Sequence, residues 1–253
     1  MKLGKWIGGV MGFVATGGPL GALLGYLIGS YFDKSNDDVA EDVNSPQGQR
    51  NSFLFSLLVL ASYVIRADNR IMHSEMEFVR NFLRKTFGEG AVKEGEQILL
   101  DLFEQARRMD SESPGAYRRL IFDCGGQIAT YMSYESRLQL LNFLVMLAKS
   151  DGSVCADEVR VLGELVQAMQ LQQSELDSML HLGGDSLEEA YQVLEIPSTA
   201  TDDEVKAAYR RLALKHHPDR VAALGEDVRR AAEEKFQQIN NAKERIYKSR
   251  GIK

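Results

Sequence analysis

The sequence predicts an all-α chain with three parts: a Gly-rich N-terminal transmembrane segment, a helical bundle, and a C-terminal helical hairpin with a flanking short helix. Three observations predict it. Trp6 to Phe32 is a run of 27 residues without a charged side chain. From Asn51 onward, apolar residues recur at the 3.6-residue helical period, with no sustained strand alternation. Near the C-terminus, an acid-opened helix rich in cations stops at His217-Pro218-Asp219.

Composition supports this division. The 253 residues suffice for one large domain or two modest ones. At 44% hydrophobic and 26% charged, most of the chain can bury a core. A mean hydropathy of −0.24 excludes a polytopic membrane protein. Cys124 and Cys155 are far apart and lie in apolar helical patterns. They form no disulfide framework and no CxxC pair, so a reducing compartment is expected. Of the net charge of −6, residues 1–186 carry −7 and residues 187–253 carry +1. An acidic bulk argues against nucleic-acid binding, which needs surplus cations against phosphate.

The N-terminal run exceeds the ~20 apolar residues that cross a bilayer. Trp6 stands at one end, and Tyr26, Tyr31 and Phe32 at or near the other, as interfacial aromatics do. Gly8 and Gly12 are four apart, as are Gly17, Gly21, Gly25 and Gly29. That spacing puts small residues on one stripe and allows a homodimer of closely packed helices; glycine is also simply common in membrane segments. Gly17-Gly18-Pro19 either kinks the helix or splits it into a hairpin. Lys2 and Lys5 resemble the start of a signal peptide, but the run is too long and Gly29-Ser30-Tyr31 is a poor cleavage site. A retained anchor over residues 1–32 is expected. By charge alone, Lys2 and Lys5 favour an internal amino terminus.

Residues 33–50 read as a polar linker with Pro46 and Gly48. In the middle domain, residues 51–183, Phe53, Leu57, Leu58, Val64 and Ile65 share the helical period. So do Leu138, Leu141, Phe143, Leu144, Val145 and Leu147. A repeat appears at an offset of 83 residues: Asp68 aligns with Asp151, Ile71 with Val154, and Glu75 with Glu158. Each copy reads as a helix, an Asp-led turn, a buried aliphatic, and a new helix opened by acids. Asp at such a turn accepts backbone N–H bonds, and acids suit the next helix's dipole. These residues resemble the tellurite-resistance TerB family, an all-helical domain, with Asn69 standing where that turn usually has glycine. The resemblance makes Asp68, Glu75, Asp151 and Glu158 candidate ligands for a hard cation; helix caps and turn locks are the favoured reading of them. His73 and His181 read as surface or turn residues, and the cysteines as core or near-surface residues.

The domain at residues 187–253 carries the most specific pattern. Leu187–Leu194 is a short amphipathic stretch. Thr201 and Glu204 form a capping box for a helix over about 202–216. Val205, Ala208, Tyr209 and Leu212 share one face, and residues 205–217 carry four cations and no anion. Pro218 ends this helix. Phe236, Ile239, Ala242 and Ile246 mark another.

Tyr191–Leu194, Asp203–Ala213, Lys215-His216-His217-Pro218-Asp219-Arg220 and the Phe236 to Ala242 pattern resemble the J domain of DnaJ co-chaperones. Arg220 stands where lysine is usual. The resemblance implies a DnaK-type ATP-dependent chaperone as partner. It would be met by Lys206, Tyr209, Arg210, Arg211 and Lys215, with His217, Pro218 and Asp219 at its regulatory interface. The order of parts resembles the DjlA-type membrane-anchored co-chaperones of Gram-negative bacteria. That implies a single pass through the inner membrane with a cytoplasmic C-terminal part, against the Lys2 and Lys5 count. An alternative is a metal- or stress-sensing middle domain with the C-terminal domain as its output. No nucleophile–base pair, phosphate loop or metal spacing supports an enzyme, and no cofactor is expected.

Overall fold

Residues 18–23, 46–68, 71–181 and 186–252 are described in the computed structural model of this chain, and no strand occurs among them. Two compact units are present, residues 1–170 and 171–253.

In the first unit, α1 (Pro46–Ile65) is followed by α2 (His73–Phe87), α3 (Glu89–Glu112) and α4 (Ala116–Tyr131). Then come α5 (Tyr134–Ala148), a 3-10 turn (Lys149–Asp151) and α6 (Ala156–Ala168). From Phe53 onward α1 is apolar on almost every side, so that part is expected inside the unit. Each residue from 52 to 62 is buried, and α3, α4, α5 and α6 pack around it. α5, its counterpart in the repeat, is equally enclosed over 138–145. All the apolar residues that the period marked in these two helices are buried.

Some buried polar groups of this unit are matched, whereas among the described residues the Ser52, Ser56 and Thr86 hydroxyls are buried without a hydrogen-bond partner. Ser62 Oγ donates to the Val59 carbonyl at 2.6 Å and shares a 2.6 Å hydrogen bond with the buried Tyr117 hydroxyl. Tyr63 Oη donates to Glu164 Oε2 at 2.7 Å. Burial and that carboxylate push the Tyr63 hydroxyl up to about 12. α4 crosses α6 at Gly125, where a Cβ would stand 2.4 Å from Ala168 Cβ, so only glycine permits the approach.

The two Asp-led turns are present, with one correction. The aliphatic after the turn was expected to be buried. Ile71 is 51% exposed instead, and Val154 only half-buried. Each lies outside the helix, one residue before an N-cap in extended backbone, so the helical face does not dictate its burial. Cys124 is buried, and Cys155 is exposed.

Of the N-terminal run, Gly8, Gly12, Gly17, Gly25 and Gly29 lie outside the described residues. Residues 19–23 are helical, and Gly21 is buried there. The Leu20 N–H donates to Gln127 Oε1 of α4 at 2.9 Å. No helix among the described residues is long and apolar enough to cross a membrane.

The second unit contains α7 (Gln173–Leu180), α8 (Leu187–Val193) and α9 (Asp202–Lys215). A 3-10 segment (Pro218–Leu224) and α10 (Glu226–Arg250) complete it. α8, α9 and α10 enclose a core of Tyr191, Val193, Leu194, Val205, Leu212, Ile239, Ala242 and Ile246, closed by Ala190 and Ala200. Thr201 caps α9: its Oγ1 accepts from the Glu204 N–H, and Glu204 Oε2 accepts from the Thr201 N–H at 2.6 Å. Arg250 straps the end of α10 to the α8–α9 loop. It donates to Tyr191 Oη (2.6 Å), the Ala200 and Ser198 carbonyls, and Asp202 Oδ1 (3.1 Å). The expected domain boundary fell at 183–187, whereas this spatial division places α7 with the second unit.

Candidate functional site

α9 has to stop at His216, because Pro218 lacks an N–H and disfavours helical backbone in the residue before it. His217 accordingly adopts extended backbone (φ −65°, ψ 127°), and Pro218 opens the 3-10 segment. The Asp219 N–H donates to His217 Nδ1 at 3.3 Å, and Asp219 Oδ2 lies 3.6 Å from the same nitrogen. The His217 ring meets Phe236 of α10 edge-on, with centroids 5.9 Å apart. Beneath the corner, Val221 and Leu224 are buried and anchor the 3-10 segment.

The result is a fixed corner with outward polar groups. The Asp219 side chain is 81% exposed and that of His217 46%. His216, one residue earlier, is its inverse: it is buried, and its Nδ1 has no hydrogen-bond partner. Burial first, then the cations Lys235, Lys215 and Arg211, hold its pKa well below the usual imidazole range. Consecutive histidines thus do different work: His216 is a neutral part of the frame, whereas His217 is presented to solvent.

The four cations of α9 do not act as one face. Helical geometry puts Lys206 and Arg210 on one flank, and Arg211 and Lys215 on the other. Arg210 is exposed and Lys206 half-exposed; neither makes an ion pair with a described residue. Arg211 donates to Glu195 Oε2 at 2.7 Å, and that carboxylate side chain is only 3% exposed. Lys215 pairs with Glu175 of α7, whose side chain is 0% exposed. Tyr209 donates from its hydroxyl to Asn240 Oδ1 at 2.8 Å, and Lys243 lies over its ring. Sequence reasoning missed Glu175, Glu195 and Arg250. Their distinguishing contacts reach far along the chain, to Lys215, Arg211 and the α8–α9 loop.

The acidic quartet of the first unit is brought together electrostatically. Burial, then the charges of Glu158, Asp68 and Asp151, push Glu75 up to about 7, against the opposing hydrogen bond from Met72. Its oxygens are engaged by backbone. Glu75 Oε2 accepts from the Met72 N–H at 2.9 Å, Glu158 Oε2 from Cys155 N–H at 2.7 Å, and Asp151 Oδ1 from Ser153 N–H at 3.1 Å. Among the described residues, no group of three His, Cys, Asp or Glu side chains is placed to hold a metal ion.

Residues 1–51 match the co-chaperone DjlA transmembrane domain, 55–181 the tellurite resistance protein TerB family, and 189–250 the DnaJ domain. Proteins named Co-chaperone protein DjlA align along their full length. That of Coxiella burnetii is 25% identical over 99% of this chain and 98% of its own. That of Photobacterium profundum is 25% identical over 99% of both. That of Escherichia coli K12 is 22% identical over 99% and 98%. The chain belongs to the DjlA-type co-chaperones.

As a DjlA-type chain it is a membrane-anchored co-chaperone, a class that is not a classical enzyme. Its DnaJ domain implies a partner of the DnaK type, and its first segment implies a membrane. The corner described above falls within the DnaJ match, and the acidic quartet within the TerB match. No solved structure matches the chain.

Proposed function

We propose that this chain binds a DnaK-type chaperone through the His217-Pro218-Asp219 corner and α9, and stimulates its ATP hydrolysis at the membrane surface. The observation that carries the reading is the corner itself: two exposed polar side chains on a backbone turn fixed from below by Val221, Leu224 and Phe236. Lys206 and Arg210 supply unpaired positive charge beside it. Such charge steers encounter with an acidic surface and sets orientation. Asp219 then replaces an internal polar contact between the chaperone's ATPase domain and linker. The co-chaperone performs no chemistry; its differential affinity shifts the partner's conformational equilibrium. Arg211, Lys215 and Tyr209 act from within the domain by holding α9 in place.

The same proposal sets the topology: one membrane pass, with the C-terminal part in the cytoplasm, where ATP-driven chaperones work. Clients are those near the membrane. Two measurements test this. In single-turnover assays the full chain should speed ATP hydrolysis by a DnaK-type chaperone at least about tenfold, or about 1.4 kcal/mol off the barrier. An unchanged rate contradicts the function. The exposed Cys155 should react with a membrane-impermeant maleimide in inside-out vesicles and be protected in right-side-out ones. The reverse pattern contradicts the topology.

A further inference from the structure

The DnaJ match begins at residue 189, yet the compact unit containing it begins at Leu171. The added piece, α7, belongs to the TerB match and is joined to the second unit by two buried contacts. Ser178 Oγ donates to the Val193 carbonyl at the end of α8 at 2.9 Å. Glu175 pairs with Lys215 in the last turn of α9. Glu175 also accepts from the Gln172 N–H at 2.9 Å, which fixes the carboxylate on its own helix start.

Lys215 is two residues from His217, and its side chain is only 15% exposed. A cation enclosed by a fully buried carboxylate is poorly placed to meet a partner's acidic surface. It is well placed to fix the end of the helix from which the corner projects. Removing one member of such a pair leaves a buried charge uncompensated, which is strongly disruptive. On the opposite flank, Lys206 and Arg210 have no such tether.

We infer that Glu175 is a positioning residue for the co-chaperone activity: through Lys215 it holds the last turn of α9, and with it the His217-Pro218-Asp219 corner, so that α7 is a working part of the J module. This rests on the proposed chaperone stimulation. The division of labour that follows is sharp. Glu175 and Lys215 govern how well a bound partner is activated, whereas Lys206 and Arg210 govern how tightly it is met.

The test uses the full chain and separates maximal stimulation of a DnaK-type ATPase from the concentration giving half of it. Glu175→Gln and Lys215→Gln should each lower maximal stimulation about threefold or more, with half-saturation little changed. The double variant, which leaves no buried charge, should lose no more than the worse single one. Ser178→Ala, which cuts the other tie of α7, should move the same parameter more weakly and serves if Glu175→Gln loses its helical circular dichroism. The inference is overturned if Glu175→Gln matches the wild type. It is also overturned if Lys215→Gln changes only half-saturation, if the two losses simply add, or if Ser178→Ala has no effect where Glu175→Gln unfolds. Asp219→Asn in the same assay separates the two levels. If it stimulates fully, the underlying function fails; if it is inactive while Glu175→Gln is normal, only the role of Glu175 fails.

Discussion

The acidic quartet of the first unit and the His-Pro-Asp corner of the second are both polar clusters at a turn between helices, and both invite a functional reading. They differ in where their polar atoms go. Glu75, Glu158 and Asp151 turn back onto backbone N–H groups two or three residues away. Glu75 and Glu158 satisfy donors at a helix start, and Asp151 one within its turn. At the corner, the hydrogen bond between Asp219 and His217 leaves the Asp219 carboxylate 81% exposed. A cluster engaged by its own backbone reads as architecture, and one held rigid with its charge outward reads as a surface for a partner. The same contrast divides α9, where tethered Arg211 and Lys215 oppose untethered Lys206 and Arg210.

Four variants probe that contrast, beginning with the largest effect. Arg250→Ala removes bonds to Tyr191, Asp202 and two carbonyls, and should lower the denaturant midpoint of the second unit. An unchanged midpoint would mean that the frame does not depend on this strap. Gly125→Val forces a side chain into the α4–α6 crossing. It should destabilise the first unit by about 2 kcal/mol in denaturant unfolding, and an unchanged midpoint would mean that the crossing tolerates a side chain. Lys206→Ala combined with Arg210→Ala should raise half-saturation of the chaperone about fivefold, an effect that fades in high salt. Arg211→Ala should instead act on stability, since it leaves the enclosed Glu195 carboxylate without its arginine; a pure affinity change would erase the proposed division between flanks.

The smallest effect concerns pH. Glu75 has its pKa raised from 4.5 to about 7, so the folded chain holds a proton there that the unfolded chain has released across this window. More protons bound in the folded state means that stability falls as pH rises from about 4.5 to 7. Glu75→Gln should flatten that slope in thermal melts. An unchanged slope would show that burial does not raise Glu75 as described.

Much of this was legible in the sequence. The period of Phe53 to Ile65 and of Leu138 to Leu147 marked the two enclosed helices, because burial alone decides those positions. The Thr201–Glu204 cap and the Pro218 stop were readable, since each acts within three residues. The corner was readable because proline and its neighbours restrict one another locally. What escaped were contacts joining distant parts of the chain: Glu175 with Lys215, Glu195 with Arg211, and Arg250 with the α8–α9 loop. Charge composition showed four cations on one helix but not which had found a carboxylate. Ile71 escaped for a related reason: it precedes the helix that begins at His73, so no helical face dictates its burial.

The central claim is that the exposed corner acts while the buried frame only holds it. The most direct measurement compares wild type and His217→Gln of the full chain in single-turnover ATP hydrolysis by a DnaK-type chaperone, with far-ultraviolet circular dichroism on the same samples. The account predicts that the variant keeps its helical signal and loses stimulation altogether. Equal stimulation by a folded His217→Gln would contradict it.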